Sequence, residues 1–211
     1  LPELLKRLDK QHIDYEYKLT KSLEDAFLFS REANKKGTQT IVAIGGDGTI
    51  NQVINGFYDE TGKRISSSQL GVIHTGTSPD FCLSYGIPTN PLTALDTLLK
   101  GYSRKIPIAQ ITFHTNTAEE QTRYFACCAS FGLGAQVARY SNSGIRKYLG
   151  DSLGTFVSIV ISLLRYHPEN LIIQGEGNLI SIENNFNTFI GKTTFIASGI
   201  KINHTLSVDD D

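Results

Sequence analysis

The stretch Ile41–Phe57, IVAIGGDGTINQVINGF, constrains this chain more than any other. Its first four residues are apolar and mostly β-branched, which predicts a buried strand. Gly45, Gly46 and Gly48 then turn the chain sharply. Thr49 is placed to cap a helix whose inner face is Ile50, Val53, Ile54 and Phe57. A strand, a glycine turn and a helix N-terminus together make a phosphate site. Glycine lets the backbone approach an anion, and the free N–H groups and helix dipole attract it. Asp47 is the odd member, because a carboxylate beside phosphate is repelled unless a metal ion or a donor stands between them. An acid inside an anion cradle points to Mg²⁺-nucleotide chemistry. The alternative is a plain strand–turn–helix corner with Asp47 as a turn residue.

The same stretch resembles the GGDGT motif of the diacylglycerol kinase catalytic family, which includes sphingosine kinases and bacterial lipid kinases. NAD kinases and phosphofructokinases share the motif more distantly. Leu70 to Phe81, LGVIHTGTSPDF, is similar to that family's second motif, PxGTxNDF. Tyr85-Gly86-Ile87-Pro88, Arg123-Tyr124-Phe125 and Ala129-Ser130-Phe131-Gly132 fit as well, so the resemblance extends over nearly the whole chain. It departs from the pattern at three places: His74 stands where proline is usual, Pro79 where asparagine is usual, and Gln52 where many relatives have glutamate. Pro79 removes an amide donor and a side-chain contact, which leaves the orientation of the Asp80–Phe81 corner open. At His74 two states compete, a group that titrates near neutral pH and a strand-end histidine with a structural hydrogen bond; the second is expected.

The resemblance implies transfer of the ATP γ-phosphoryl group to a lipid hydroxyl, a reaction that needs positioning, metal neutralisation and a base. It places the Gly45, Gly46, Asp47 and Gly48 amides and the Thr49 hydroxyl on the phosphates, with Ile50 in the same turn. Asp47 organises Mg²⁺ and its water shell and is the catalytic residue. Thr20, Asn51, Thr75, Gly76 and Thr77 hold the nucleotide. For Thr20 a strand-end cap is an equal alternative. A second, structural Mg²⁺ is implied on the acidic loop Ser207 to Asp211, with Asp210 as ligand, and a solvated acidic tail is the competing reading.

Composition excludes several classes. Among 211 residues the net charge is −1 and the apolar share 40%, so the chain is globular and nothing in it argues for nucleic acid. The longest apolar run, Phe156 to Leu164, is too short to span a bilayer. Cys82, Cys127 and Cys128 form neither a disulfide framework nor a zinc spacing, and no signal peptide is visible at Leu1, so a cytoplasmic protein is expected. The resemblance, the lack of a spanning segment and the apolar 151–167 region add transient peripheral membrane association. A homodimer is left open.

Along the chain, Leu4–Gln11 reads as a helix and Asp14–Leu19 as a strand. Ser22 and Asp25 form a capping box opening a helix that Gly37 closes. Asn90 and Pro91 start a further helix that Gly101 ends. This β-α-β-α rhythm predicts a parallel sheet with helices on both faces and ligands at the carboxyl ends of its strands. From Arg104 onward most segments alternate as strands (104–113, 122–130, 171–174, 179–182 and 193–197). The expected fold is therefore α/β, a parallel-sheet nucleotide domain over 1–103 followed by a β-rich, sandwich-like lipid domain over 104–211.

A helical segment near 144–167 interrupts the second part. Asp151 to His167 is apolar nearly all round and ends at Pro168, which predicts a buried packing helix; a lipid-facing wall is the alternative. Arg146 and Lys147 ahead of it read as solvated, with phosphate or headgroup contact the alternative. The family's first strand has no counterpart before Leu1, and its general base, an aspartate beyond the acidic loop, none before Asp211. The expectation is a fold incomplete at both ends, with Asp80 expected to cap the helix that begins there and to be the in-chain substitute base if residues 1–211 turn over alone. Two further readings compete with the lipid kinase: an NAD kinase-like enzyme, and a nucleotide-binding regulatory module without turnover.

Overall fold

The computed structural model describes residues 1–114, 117–141, 145–175, 178–191, 193–196 and 199–202. In chain order its elements are α1 (Pro2–Lys10), α2 (Leu23–Lys35), β1 (Thr40–Gly45), α3 (Asp47–Asn55), β2 (Gln69–His74), α4 (Asp80–Tyr85), α5 (Pro91–Leu99), β3 (Ala109–His114) and β4 (Glu120–Phe125). There follow β5 (Cys128–Gly132), α6 (Leu133–Tyr140), α7 (Arg146–Leu149), α8 (Asp151–Arg165), β6 (Glu169–Gly175), β7 (Asn178–Asn185), β8 (Asn187–Gly191), β9 (Phe195–Ile196) and β10 (Ile200–Lys201). The described residues fall into two compact units, one within 1–127 and 192–211 and the other within 128–191.

In the first unit β1 and β2 run parallel, in register from Thr40 opposite Gln69 to Gly45 opposite His74. All other strand pairs among the described residues are antiparallel: β3–β4, β5–β8, β6–β7 and β9–β10. The expected change from parallel α/β to antiparallel β structure is therefore present. The segment Asp14–Leu19, expected as a strand, is irregular instead. Tyr17 and Leu19 are exposed, and among the described residues β1 pairs with β2 alone. Alternation predicts which faces a strand would present, but a strand also needs a neighbour to complete its ladder.

Local signals place the helices well. Ser22 Oγ accepts from Asp25 N at 3.2 Å and Asp25 Oδ2 from Ser22 N at 3.0 Å, completing the capping box of α2. Asn90 Oδ1 accepts from the amides of Leu92 and Thr93, both at 3.1 Å, and caps α5. The inner face foreseen for α3 is the core of this unit: Ile50, Val53, Ile54 and Phe57 are all buried, against Ala26, Ala43, Val72, Phe81 and Tyr124. Strand β1 is buried on one face only, for Val42 and Ile44 on the other remain exposed.

Asn55, at the end of α3, fastens this helix to β4. Its Nδ2 donates to the carbonyls of Asn51 and Tyr124, both at 2.8 Å, while its Oδ1 accepts from Tyr124 N at 2.9 Å. Asn55→Ala strands the buried Tyr124 amide and carbonyl, and an unpaired buried polar group costs ~1–3 kcal/mol. The expected result is a loss of about 2–4 kcal/mol in urea unfolding; a loss below about 1 kcal/mol would contradict it.

In the second unit, α8 reverses the expected packing. In place of a buried helix, Leu153, Phe156, Leu163 and Leu164 are exposed, Leu164 to 81%. What α8 buries is the small-residue stripe Gly154, Ser158 and Ser162. Residues spaced by four share one helix face, and small ones allow another element to approach closely, so the large apolar residues are left on the other side.

Candidate functional site

The parallel register decides the site's position. Because Gly45 and His74 are opposite each other, the turns after β1 and β2 leave from one sheet edge. Thr75 N donates to Gly45 O at 2.9 Å, extending the ladder one step into the turns. Beyond it the two backbones touch: a Cβ added to Gly76 would sit 2.6 Å from Gly46 Cα. A Cβ on Gly45 would collide with the Thr49 side chain at the same 2.6 Å. These glycines are required by contact with backbone and with a neighbouring side chain, and not by their torsion angles.

The helix starts earlier than its sequence suggested. Gly46 is the N-cap and Asp47 the first helical residue, so Thr49 does not cap α3; its side chain instead folds over Gly45. Gly46 O accepts from the amides of Thr49 and Ile50, at 2.9 and 3.1 Å. As a glycine, the N-cap has no side chain with which to cap this N-terminus.

Asp47 is held between both turns. Its Oδ2 accepts from Phe81 N at 3.3 Å, and its Oδ1 is 3.6 Å from His74 Nε2. At that length the histidine contact is electrostatic and no hydrogen bond. Oδ1 is buried and has no hydrogen-bond partner among the described residues. Burial pushes the Asp47 carboxyl up from its ordinary 3.8 to about 6, against the opposing pull of the Phe81 amide and of His74. The same burial raises the neighbouring Cys82 thiol to about 11, with the Asp47 charge adding to it, so that thiol is no nucleophile.

His74 carries the structural hydrogen bond expected of it, Nε2 to Ser78 O at 2.9 Å. Asp80 does not cap α4; Pro79 occupies that position, and Asp80 Oδ1 accepts from Gly199 N at 2.7 Å. That bond joins α4 to the start of β10, a link across 119 residues that no local pattern signals.

The structure thus gathers Gly45, Gly46, Asp47, Gly48, Thr49, Thr75, Gly76 and Thr77 at one edge, with Thr75 to Thr77 exposed. Leu23, opening α2, comes within 3.9 Å of a Cβ placed on Gly48, so the α2 N-terminus borders the turn; Thr20 is exposed in the coil just before it. Ile50 turns its side chain into the core. Asn51 is half-buried on α3, its carbonyl occupied by Asn55. Asp210 and the acidic segment around it lie outside the described residues. Among the described residues no group of three or more His, Cys, Asp or Glu could hold a metal ion.

Comparison with known proteins gives a consistent result. The family model for the diacylglycerol kinase catalytic domain matches residues 1–111. Diacylglycerol kinases of Staphylococcus aureus strains JH9 and Newman are each 28% identical over 210 residues, covering 100% of this chain and 62% of theirs. The chain therefore spans somewhat under two thirds of the length of these curated relatives. A crystal structure of a diacylglycerol kinase from Bacillus anthracis strain Sterne superposes with a TM-score of 0.58 at 22% identity, covering 87% of this chain and 54% of that one, which is a likeness of fold.

Proposed function

Since the chain belongs to the diacylglycerol kinase catalytic domain family, we propose that it is part of an ATP-dependent lipid kinase, transferring the γ-phosphoryl group to the hydroxyl of a diacylglycerol-like acceptor. One observation carries this reading most: two glycine turns in backbone contact at a shared strand edge, with a buried, half-satisfied carboxylate between them. The N-cap Gly46 has no side chain to compete with an anion at the start of α3, and the helix dipole would add to its attraction. Gly46 and Gly76 keep both turns close enough to clasp one phosphate chain. Thr49, Thr75 and Thr77 supply hydroxyls, and Thr20 and Asn51 stand at the border for the nucleoside. Phosphoryl transfer leaves little covalent work for the protein, so positioning of this kind is the main contribution.

Asp47 fits the Mg²⁺ that this chemistry implies, because its Oδ1 is a buried acceptor with no hydrogen-bond partner among the described residues. Bound there directly or through water, Mg²⁺ supplies neutralisation of phosphate charge. Asp47 itself fixes the distance between the two turns through Phe81 N. The proposed division of labour is nucleotide binding by 1–103 and lipid binding by 104–211.

For the lipid side, the exposed apolar face of α8 supports a protein that works on a bilayer surface. No helix among the described residues is long and apolar enough to cross a membrane. From Leu153 to Leu164 α8 carries no charge, and at its C-terminal end Arg139 and Arg165 line a cavity of ≈ 430 Å³ with His167 and Glu169. An apolar face beside basic groups is the pattern of an interfacial helix.

The test is a radiolabelled ATP assay of the full-length protein on mixed lipid micelles, with NAD as control acceptor. Label in the lipid is expected. Label in NAD would favour the NAD kinase reading, and nucleotide binding without transfer the regulatory module. In parallel, Phe156→Asp with Leu164→Asp is expected to weaken binding to anionic vesicles about 10- to 100-fold, the effect of removing two large apolar contacts with the acyl boundary. Unchanged vesicle binding would remove α8 from the docking surface.

A further inference from the structure

His74 is the last residue of β2, and its side chain is only 4% exposed. A carbonyl oxygen can only accept, so in its 2.9 Å bond to Ser78 O the Nε2 carries the proton and donates. That bond spans the whole 75–78 turn from its first residue's neighbour to its last, closing it from inside. The same nitrogen is 3.6 Å from Asp47 Oδ1, a buried oxygen with no hydrogen-bond partner among the described residues. The ring also packs on the turn itself, its Cε1 3.4 Å from where a Gly76 Cβ would be. Gly76 in turn rests on Gly46, so one imidazole contacts the turn after β2 and the acid in the turn after β1.

Other groups share the work: Thr75 N ties the start of the turn to Gly45 O, and the backbone N–H of Asp80 as well as that of Phe81 bonds the Asp47 carboxyl. Phe81 N reaches only Asp47 Oδ2, and Pro79 has no N–H to offer. The exposed residues Thr75 to Thr77 have no side-chain bond among the hydrogen bonds that hold the turn's base. Without the imidazole, Ser78 O would lose this donor, and Gly76 would lose the ring packed beside it.

We infer that His74 is a positioning residue for the nucleotide site: it sets the 75–78 turn against the glycine turn and keeps Asp47 Oδ1 directed between them. This rests on the reading of the two turns as a phosphate clasp. Its work is done in the ground state, by pre-forming the clasp, so its loss raises the KM and Kd for ATP more than it lowers kcat.

Glutamine can bring an N–H to nearly the reach of Nε2, whereas asparagine is one bond shorter. The experiment measures Mg-ATP affinity by calorimetry, and kcat and KM for ATP, on the full-length protein and its His74→Ala, His74→Gln and His74→Asn variants. Expected are an ATP Kd and KM raised about tenfold in His74→Ala and His74→Asn, with kcat within about threefold, and recovery to within about threefold in His74→Gln, as befits one hydrogen bond to a buried carbonyl. If His74→Ala fails to fold, the glutamine–asparagine contrast carries the test. Wild-type affinity in His74→Ala or His74→Asn, or equal losses in His74→Gln and His74→Asn, would overturn the inference while the clasp stands. A wild-type protein that binds no ATP would overturn the clasp, and this inference with it.

Discussion

Replacing Asp47 by asparagine is expected to cut phosphoryl transfer about 10²–10⁴-fold, the loss typical of one group that places or stabilises reacting charge. The same change should make the nucleotide-free protein more stable at neutral pH. Burial raises the Asp47 carboxyl to about 6 from its ordinary 3.8, so the folded state holds this proton more tightly than the unfolded chain does. The stability that comes with the proton is complete below about pH 4 and is lost as the pH rises through about 6. A shift of about two units corresponds to at most ~3 kcal/mol, and a side chain still partly in contact with solvent recovers some of it. An asparagine at this position would keep the shape and carry no charge, so the variant's advantage in urea unfolding should be ~1–3 kcal/mol at pH 8 and vanish near pH 4. Equal stabilities of the two proteins at both pH values would refute the burial account. Near-normal turnover of the variant would refute the role given to the acid. Gains of stability with loss of activity mark sites where a charge is kept buried for its chemistry.

Gly76→Ala is expected to disable the site through the backbone. The new Cβ would sit 2.6 Å from Gly46 Cα and 3.2 Å from Gly46 N, atoms that no rotamer change can move. The two turns must separate by about 1 Å to restore ordinary contact, and misplacement on that scale costs on the order of 10²-fold in rate. Overpacking of this kind also costs ~1–3 kcal/mol of stability. Gly48→Ala provides the contrast in stability, since its Cβ would meet only Leu23 Cδ2, at 3.9 Å. Alanine also suits a helix better than glycine, by ~1 kcal/mol. Thermal unfolding and ATP titration of the two variants check the pair. A Gly76→Ala protein with wild-type ATP affinity would show that the turns need not touch.

Much of this site was legible because it is local. A β-branched run followed by Gly45, Gly46 and Gly48 and then by Ile50, Val53, Ile54 and Phe57 can hardly be anything but strand, turn and helix, since each residue's preference agrees with the next. The Ser22–Asp25 box and the Asn90 cap are likewise interactions within three residues of chain, and each appears where its spacing put it. One error was also local. Thr49 has a cap's chemistry, but Gly46 already meets the requirement of that place, a backbone turning into the helix, and the threonine is used against Gly45 instead.

The rest depended on what comes to lie alongside what. Asn55 bonds to Tyr124 across 69 residues, and Asp80 to Gly199 across 119, and neither pairing leaves a periodic trace. His74 meets Asp47 because β1 and β2 align Gly45 with His74, a register that neither strand states by itself. The burial that lifts the Asp47 carboxyl is a property of the packed corner and of no single segment. Asp14–Leu19 has a strand's alternation yet stays irregular, as hydrogen bonding between strands is a property of two segments. In α8 the composition is apolar, but which of its faces is covered depended on whether a neighbour could approach Gly154, Ser158 and Ser162 closely. The sequence by itself determined the local geometry of the glycine turn, its helix and their caps, because those preferences act within a few residues. Only the tertiary structure decided that a second turn closes against the first, that Asp47 is desolvated between them, and that α8 shows its large residues outward, because each of these follows from contact between segments distant in the chain.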